Sequence, residues 1–183
     1  MKKSVLIMMI MVLTLVTFGC TATGEPLDEP DDPIEEPVDE PGDATEGVII
    51  EPTDKVDVAN LTILDEFEFD FDQDDEVEKI ALLTAAQKDS NGEVMWDDGQ
   101  DWMLIIQDTD KDYVLVNEYV QLGRIDFNVF TVDEDFYIST LSPRTASLTL
   151  NLYKYDKEND SFIMTTPYNA SGNVNMMKSS GGY

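Results

Sequence analysis

From Leu61 onward, apolar and polar residues alternate with a period of two through most of the chain. That period belongs to a half-buried β-strand, whose successive side chains point to opposite faces. In LTILDEFEFDFD, Phe67, Phe69 and Phe71 fall on one face, and Glu68, Asp70 and Asp72 on the other. Further apolar runs follow as WMLIIQD, YVLVNEYV, RIDFNVFTV, FYISTL, SLTLNLYKYD and SFIMTT. Polar tips at 108–112, 133–135 and 156–160 separate several of these runs. Such tips predict hairpin turns in antiparallel sheet.

The pattern therefore predicts an all-β domain built as an antiparallel β-meander, a small sandwich or a partial propeller-like unit. The tips near Asp110, Glu134 and Glu158 recur every 24 residues, so two hairpins approach the length of one four-stranded propeller blade. The chain after residue 55 is too short for a complete propeller. Val77 to Lys88 (VEKIALLTAAQK) carries two signals. Asp75 and Glu78 could form a helical capping box, and Ala and Leu favour helix. Ile80 to Leu83 suits a strand buried on both faces, which is the preferred reading. Trp96 and Trp102 flank a polar turn and are expected to close over the core, with stacking on a sugar or peptide as the alternative.

The N-terminal third has a different pattern. Lys2 and Lys3 precede an almost unbroken apolar run, Val5 to Phe18. Its length suits a signal-peptide core and is short for a bilayer span, which needs about 20 residues. The stretch Val16-Thr17-Phe18-Gly19-Cys20 resembles a bacterial lipoprotein box, in which a small residue precedes a cysteine that becomes acylated. The resemblance implies a signal peptide over 1–19 and a lipid-modified Cys20, anchoring the chain at the extracytoplasmic face of the cell membrane. Cys20 is the only cysteine, so no internal disulfide competes for it.

Pro26, Pro30, Pro33, Pro37 and Pro41 then recur among closely spaced acids, with no Lys or Arg before Lys55. Proline removes backbone donors and neighbouring carboxylates repel, so 20–55 reads as a disordered linker. At about 3.1 Å per residue such a spacer reaches up to about 90 Å. The β domain is expected over 56–183.

Net charge is −28, or −30 once Lys2 and Lys3 leave with the leader. That charge opposes nucleic-acid binding and favours cations or cationic partners. The chain has no histidine, which removes Ser-His-Asp and Cys-His catalysis. An acylated Cys20 would leave no thiol nucleophile, and no glycine-rich phosphate loop precedes a helix.

The sharpest chemical feature is Asp70-Phe71-Asp72-Gln73-Asp74-Asp75-Glu76-Val77-Glu78. Acids at the first, third, fifth and ninth positions of a short loop can converge on a hard cation, and calcium takes six to eight such oxygens. An EF-hand fits less well, because its twelfth position falls on Ala81. The spacing resembles the calcium loops of FG-GAP and VCBS-type repeats. By that resemblance Asp70, Asp72, Asp74 and Glu78 would give side-chain oxygens and Glu76 a backbone carbonyl. The family pattern has Gly where Asp75 stands, although Asp tolerates the left-handed conformation better than most residues.

Together these features lead us to expect a monomeric, non-enzymatic, lipid-anchored surface protein. Its β domain, stabilised by Ca2+, would meet an extracytoplasmic protein or polymer. The alternatives are a carboxylate-based hydrolase and a purely structural envelope lipoprotein.

Overall fold

The computed structural model describes residues 47–172, Val174 and Met177. The leader, Cys20 and the linker up to Glu46 lie outside the described residues. Among the described residues there is no helix, and nine strands form two antiparallel sheets. The strands are β1 (Val48–Ile50), β2 (Thr62–Phe69), β3 (Glu78–Thr84), β4 (Gly99–Gln107), β5 (Asp112–Gln121), β6 (Asp126–Val132), β7 (Asp135–Arg144), β8 (Ser147–Asp156) and β9 (Ser161–Ser171). One sheet has the order β2-β3-β4-β5, the other β1-β9-β8-β7-β6. Each is therefore a four-strand meander, and β1 is added to the edge of the second. The three polar tips are hairpin turns, joining β4 to β5, β6 to β7 and β8 to β9.

The two sheets enclose one core. Ile80 and Leu82 of β3, Trp102, Leu104 and Ile106 of β4, and Tyr113 of β5 meet Phe136 and Ile138 of β7 and Tyr153, Tyr155 and Phe162 of β8 and β9. A bulge where β5 pairs with Leu104 and Ile105 shifts the strand's alternation. Leu115 and Val116 both reach the core as a result.

Val77–Lys88 is a strand over Glu78–Thr84, and its continuous apolar run has a physical reason. Ile80 and Leu82 face the core, while Ala81 and Leu83 join Ile105 in a second cluster on the outer face. Val56, Val58 and Leu61 cover that cluster. The chain between β1 and β2 thus runs as a strap over the four-stranded sheet and buries β3 on both sides. Val56 and Val58 are half-buried, so each brings less than the roughly 1.5–3 kcal/mol of a fully buried side chain.

Here the structure differs from the expected domain boundary. β1 lies within the stretch read as linker and pairs with β9 through Val48–Met164, Ile49–Ile163 and Ile50–Phe162. Thr53 bridges to Asp112, and Lys55 binds the Asp112 carboxylate. The acidic, proline-bearing context hides β1, whose partner strand is more than a hundred residues away. Past Met164 the β9 edge carries Pro167, which has no N–H to offer another strand.

Candidate metal centre

Strand alternation places the β2–β3 loop and the three polar tips at one end of the sandwich. The β2–β3 loop, the β4–β5 tip and the β8–β9 tip are cross-linked there. Lys157 Nζ donates to the Asp72 carbonyl at 2.6 Å. The Thr109 hydroxyl donates to the Glu76 carboxylate. Lys111 donates to both oxygens of Asp160 at 2.7 Å. Beneath them Phe71 is buried and packs edge-on against Tyr155 with centroids 4.6 Å apart, which anchors the loop's second residue in the core.

Asp70, Asp72 and Glu78 come together at this end. One carboxylate oxygen from each lies within 4.8 Å of the other two. Oxygens on opposite sides of a calcium ion are separated by twice a Ca–O distance of about 2.4 Å, so this spread fits one coordination sphere. The Asp74 and Glu76 carboxylates are not part of that group. Asp74 instead accepts the Glu76 N–H at 2.8 Å, and Glu76 accepts from Thr109. Asp70 accepts the Asp74 and Asp75 N–H groups at 3.2 and 3.3 Å, which curls the loop around it.

Glu78 is 1% exposed and accepts the Phe71 N–H at 2.9 Å. Burial pushes its carboxyl up to about 6, against the opposing Phe71 hydrogen bond and with help from the charges of Asp72 and Asp108. Asp72 is also held above the ordinary carboxylate range, first by burial and then by Asp74 and Asp108. Its Oδ1 is buried and has no hydrogen-bond partner among the described residues. A buried acceptor without a donor costs about 1–3 kcal/mol, more when charged. The donor set is all oxygen, so the cluster could hold a hard metal ion. A raised carboxyl can also serve as a general acid, but at 1% exposure Glu78 presents almost no surface to a substrate.

Asp75 adopts a φ of 73°, the left-handed conformation expected where the calcium-loop pattern carries Gly. Gln73 does so as well, with a φ of 63°. Ala81, the twelfth position of the alternative EF-hand, is buried at 1% in β3.

Sequence reasoning missed Asp108 and the Lys111–Asp160 pair. Asp108 raises both Asp72 and Glu78, and its side chain is only 8% exposed. The Asp108-x-Asp110-x-Asp112 alternation was a visible signal, but nothing local shows which tips meet in space. Asp160 also accepts hydrogen bonds from the Tyr113 and Tyr155 hydroxyls, at 2.5 and 3.0 Å. Burial alone would raise Asp160; Lys111 and the two tyrosines outweigh it and hold the carboxyl below its usual range.

The tryptophans close over the core at the other end. Trp102 is buried and Trp96 stacks on it, with centroids 5.6 Å apart and planes at 16°. Models of known protein families, curated proteins and solved structures give no match to the chain.

Proposed function

We propose that the chain is a lipid-anchored extracytoplasmic surface protein whose β domain is stabilised by calcium and acts as an interaction module. The carrying observation is the orphaned Asp72 Oδ1 beside the Asp70 and Glu78 carboxylates. Two unit charges about 4 Å apart repel by about 4 kcal/mol at an effective dielectric near 20. A divalent cation would reverse that repulsion and supply the partner Asp72 lacks. Asp70, Asp72 and Glu78 would hold it, and the ion would lock the β2–β3 loop against its neighbouring tips. Cys20 and the apolar leader support the membrane address, and the acid–proline tract supports a spacer between anchor and domain.

Calorimetric titration of the domain with calcium tests the reading, with an Asp72→Asn/Glu78→Gln variant as control. Binding heat is expected in the parent and not in the variant. At a hundredfold excess over Kd the melting temperature should rise by roughly 5–10 °C. Absence of both responses at millimolar calcium would remove the metal. Failure of the parent to incorporate labelled fatty acid, or incorporation that persists in Cys20→Ala, would remove the lipid anchor at Cys20.

A further inference from the structure

At the end of the sandwich away from the acidic loop, a cleft of about 550 Å3 opens between the start of β2 and the turn preceding β4. Ile63, Leu64, Lys88, Glu93, Val94 and Trp96 contribute to its walls. Its size suits a small organic ligand or one unit of a polymer. Trp96 is 44% exposed, yet its ring is backed by the buried Trp102. A ring held in this way is a preorganised flat surface, which loses little freedom when a ligand lies on it.

Two polar groups on the walls are uncommitted. The chain has 39 acids for 11 bases, so a surface cation has many acidic neighbours to pair with. Every other Lys and Arg among the described residues has an ion-pair or hydrogen-bond partner. Lys88 has none among them. The Glu93 backbone is bonded within the turn, through its N–H to Asp89 Oδ1 and its carbonyl to the Asp89 N–H. Its carboxylate has no partner among the described residues.

A flat aromatic face, one free donor and one free acceptor match the chemistry of a sugar ring. A pyranose presents an apolar C–H face that stacks on an indole. Its hydroxyls both accept, as the Lys88 ammonium requires, and donate, as the Glu93 carboxylate requires. A wholly apolar ligand would strip water from Lys88 and Glu93 without replacing it. An anionic ligand would meet Glu93 and the field of a chain at −28. We infer that the Trp96 cleft binds a pyranose unit of a neutral saccharide. The inference rests on groups at the far end of β2 from the acidic loop, and it stands whether or not calcium binds.

The full chain is titrated with cellotetraose and with chitotetraose, followed by calorimetry and tryptophan fluorescence. Trp96 and Trp102 are its two tryptophans, so emission reports directly on the stacked pair. One of the two saccharides is expected to bind with a Kd of about 0.1–1 mM. Trp96→Ala should weaken that binding at least about tenfold. Glu93→Ala, at an exposed position, should weaken it several-fold in a protein that melts like the parent. Binding should persist in EDTA. The inference fails if neither saccharide binds at about 10 mM. It also fails if neither variant changes the affinity, if EDTA abolishes binding, or if tetragalacturonate binds more tightly than both neutral sugars.

Discussion

Asp112, wholly buried at the start of β5, accepts the ammonium of Lys55 at 2.7 Å. The same carboxylate accepts the Val56 N–H at 2.7 Å, and the Asp112 backbone exchanges two hydrogen bonds with Thr53. One side chain thus fastens the strap where it begins to cross the four-stranded sheet. Asp112→Ala leaves the Val56 N–H without its acceptor and leaves the half-exposed Lys55 with the Asp108 carbonyl and water. The expected cost is about 2–3 kcal/mol, mostly from the unmet amide and the loosened cover over Ala81, Leu83 and Ile105. Urea denaturation measures the loss, and amide exchange should show the strap opening more readily than β4. A variant as stable as the parent would mean that apolar contacts and the Thr53–Asp112 backbone bonds hold the strap without the carboxylate.

Without calcium, the Asp72→Asn/Glu78→Gln domain should be more stable than the parent by about 1–2 kcal/mol. Both substitutions remove charge from groups whose ionisation burial opposes. With saturating calcium the order should reverse, because only the parent gains the ion. Thermal melts of both proteins with EDTA and with calcium give the four values needed. A variant that is less stable in both conditions would mean that the carboxylates serve ordinary hydrogen bonding.

The same burial sets a pH dependence. Glu78 has a folded value of about 6 against an ordinary 4.5, so the folded state holds the proton more tightly. Calcium-free stability should therefore fall as pH rises from about 4.5 through about 6, by up to about 2 kcal/mol. Asp72, also raised, adds to the fall. Asp160 has the opposite sign: its depressed value gives stability that is lost as pH drops below the ordinary aspartate range. The calcium-free melting temperature should peak between these windows, at mildly acidic pH. Calcium affinity should weaken below pH 6, where Glu78 takes up its proton. A calcium-free melting temperature that climbs steadily from pH 4.5 to 7 would contradict the assignment.

Much of the fold was legible because it depends on local alternation. The Phe67–Phe69–Phe71 face, the hairpin tips and the doubly buried β3 each leave a signature within a dozen residues. Phe67 and Phe69, on the edge strand β2, are 45% and 36% exposed, while Phe71, just past the end of β2, is buried. What escaped the sequence depends on distant pairing. Three residues of β1 are too short a run to register as a strand. Asp112 reads as one more acid at a polar tip until Lys55 is placed beside it. The acidic loop was legible as a cluster, but the side-chain hydrogen bonds and the neighbouring tip that surround it were not. Asp74 and Glu76 turn to loop and cross-loop hydrogen bonds, while Asp108 enters the cluster's field from another hairpin.

Gln73 and Asp75 hold the loop in conformations that L-residues adopt at a cost, with φ of 63° and 73°. Left-handed geometry costs roughly 1–2 kcal/mol for an ordinary residue, less for Asp, and nothing comparable for Gly. Gln73→Gly should therefore stabilise the domain by about 1 kcal/mol, because the relieved strain exceeds the added freedom of the unfolded chain. Asp75→Gly should gain less, because Asp already tolerates that conformation. Neither substitution removes a carboxylate of the Asp70–Asp72–Glu78 group. Calcium affinity should accordingly stay level or rise slightly as the loop is preorganised. Urea melts of the two variants, with and without calcium, check both statements. A loss of stability in Gln73→Gly would mean that the Gln73 side chain contributes more than its backbone strain costs.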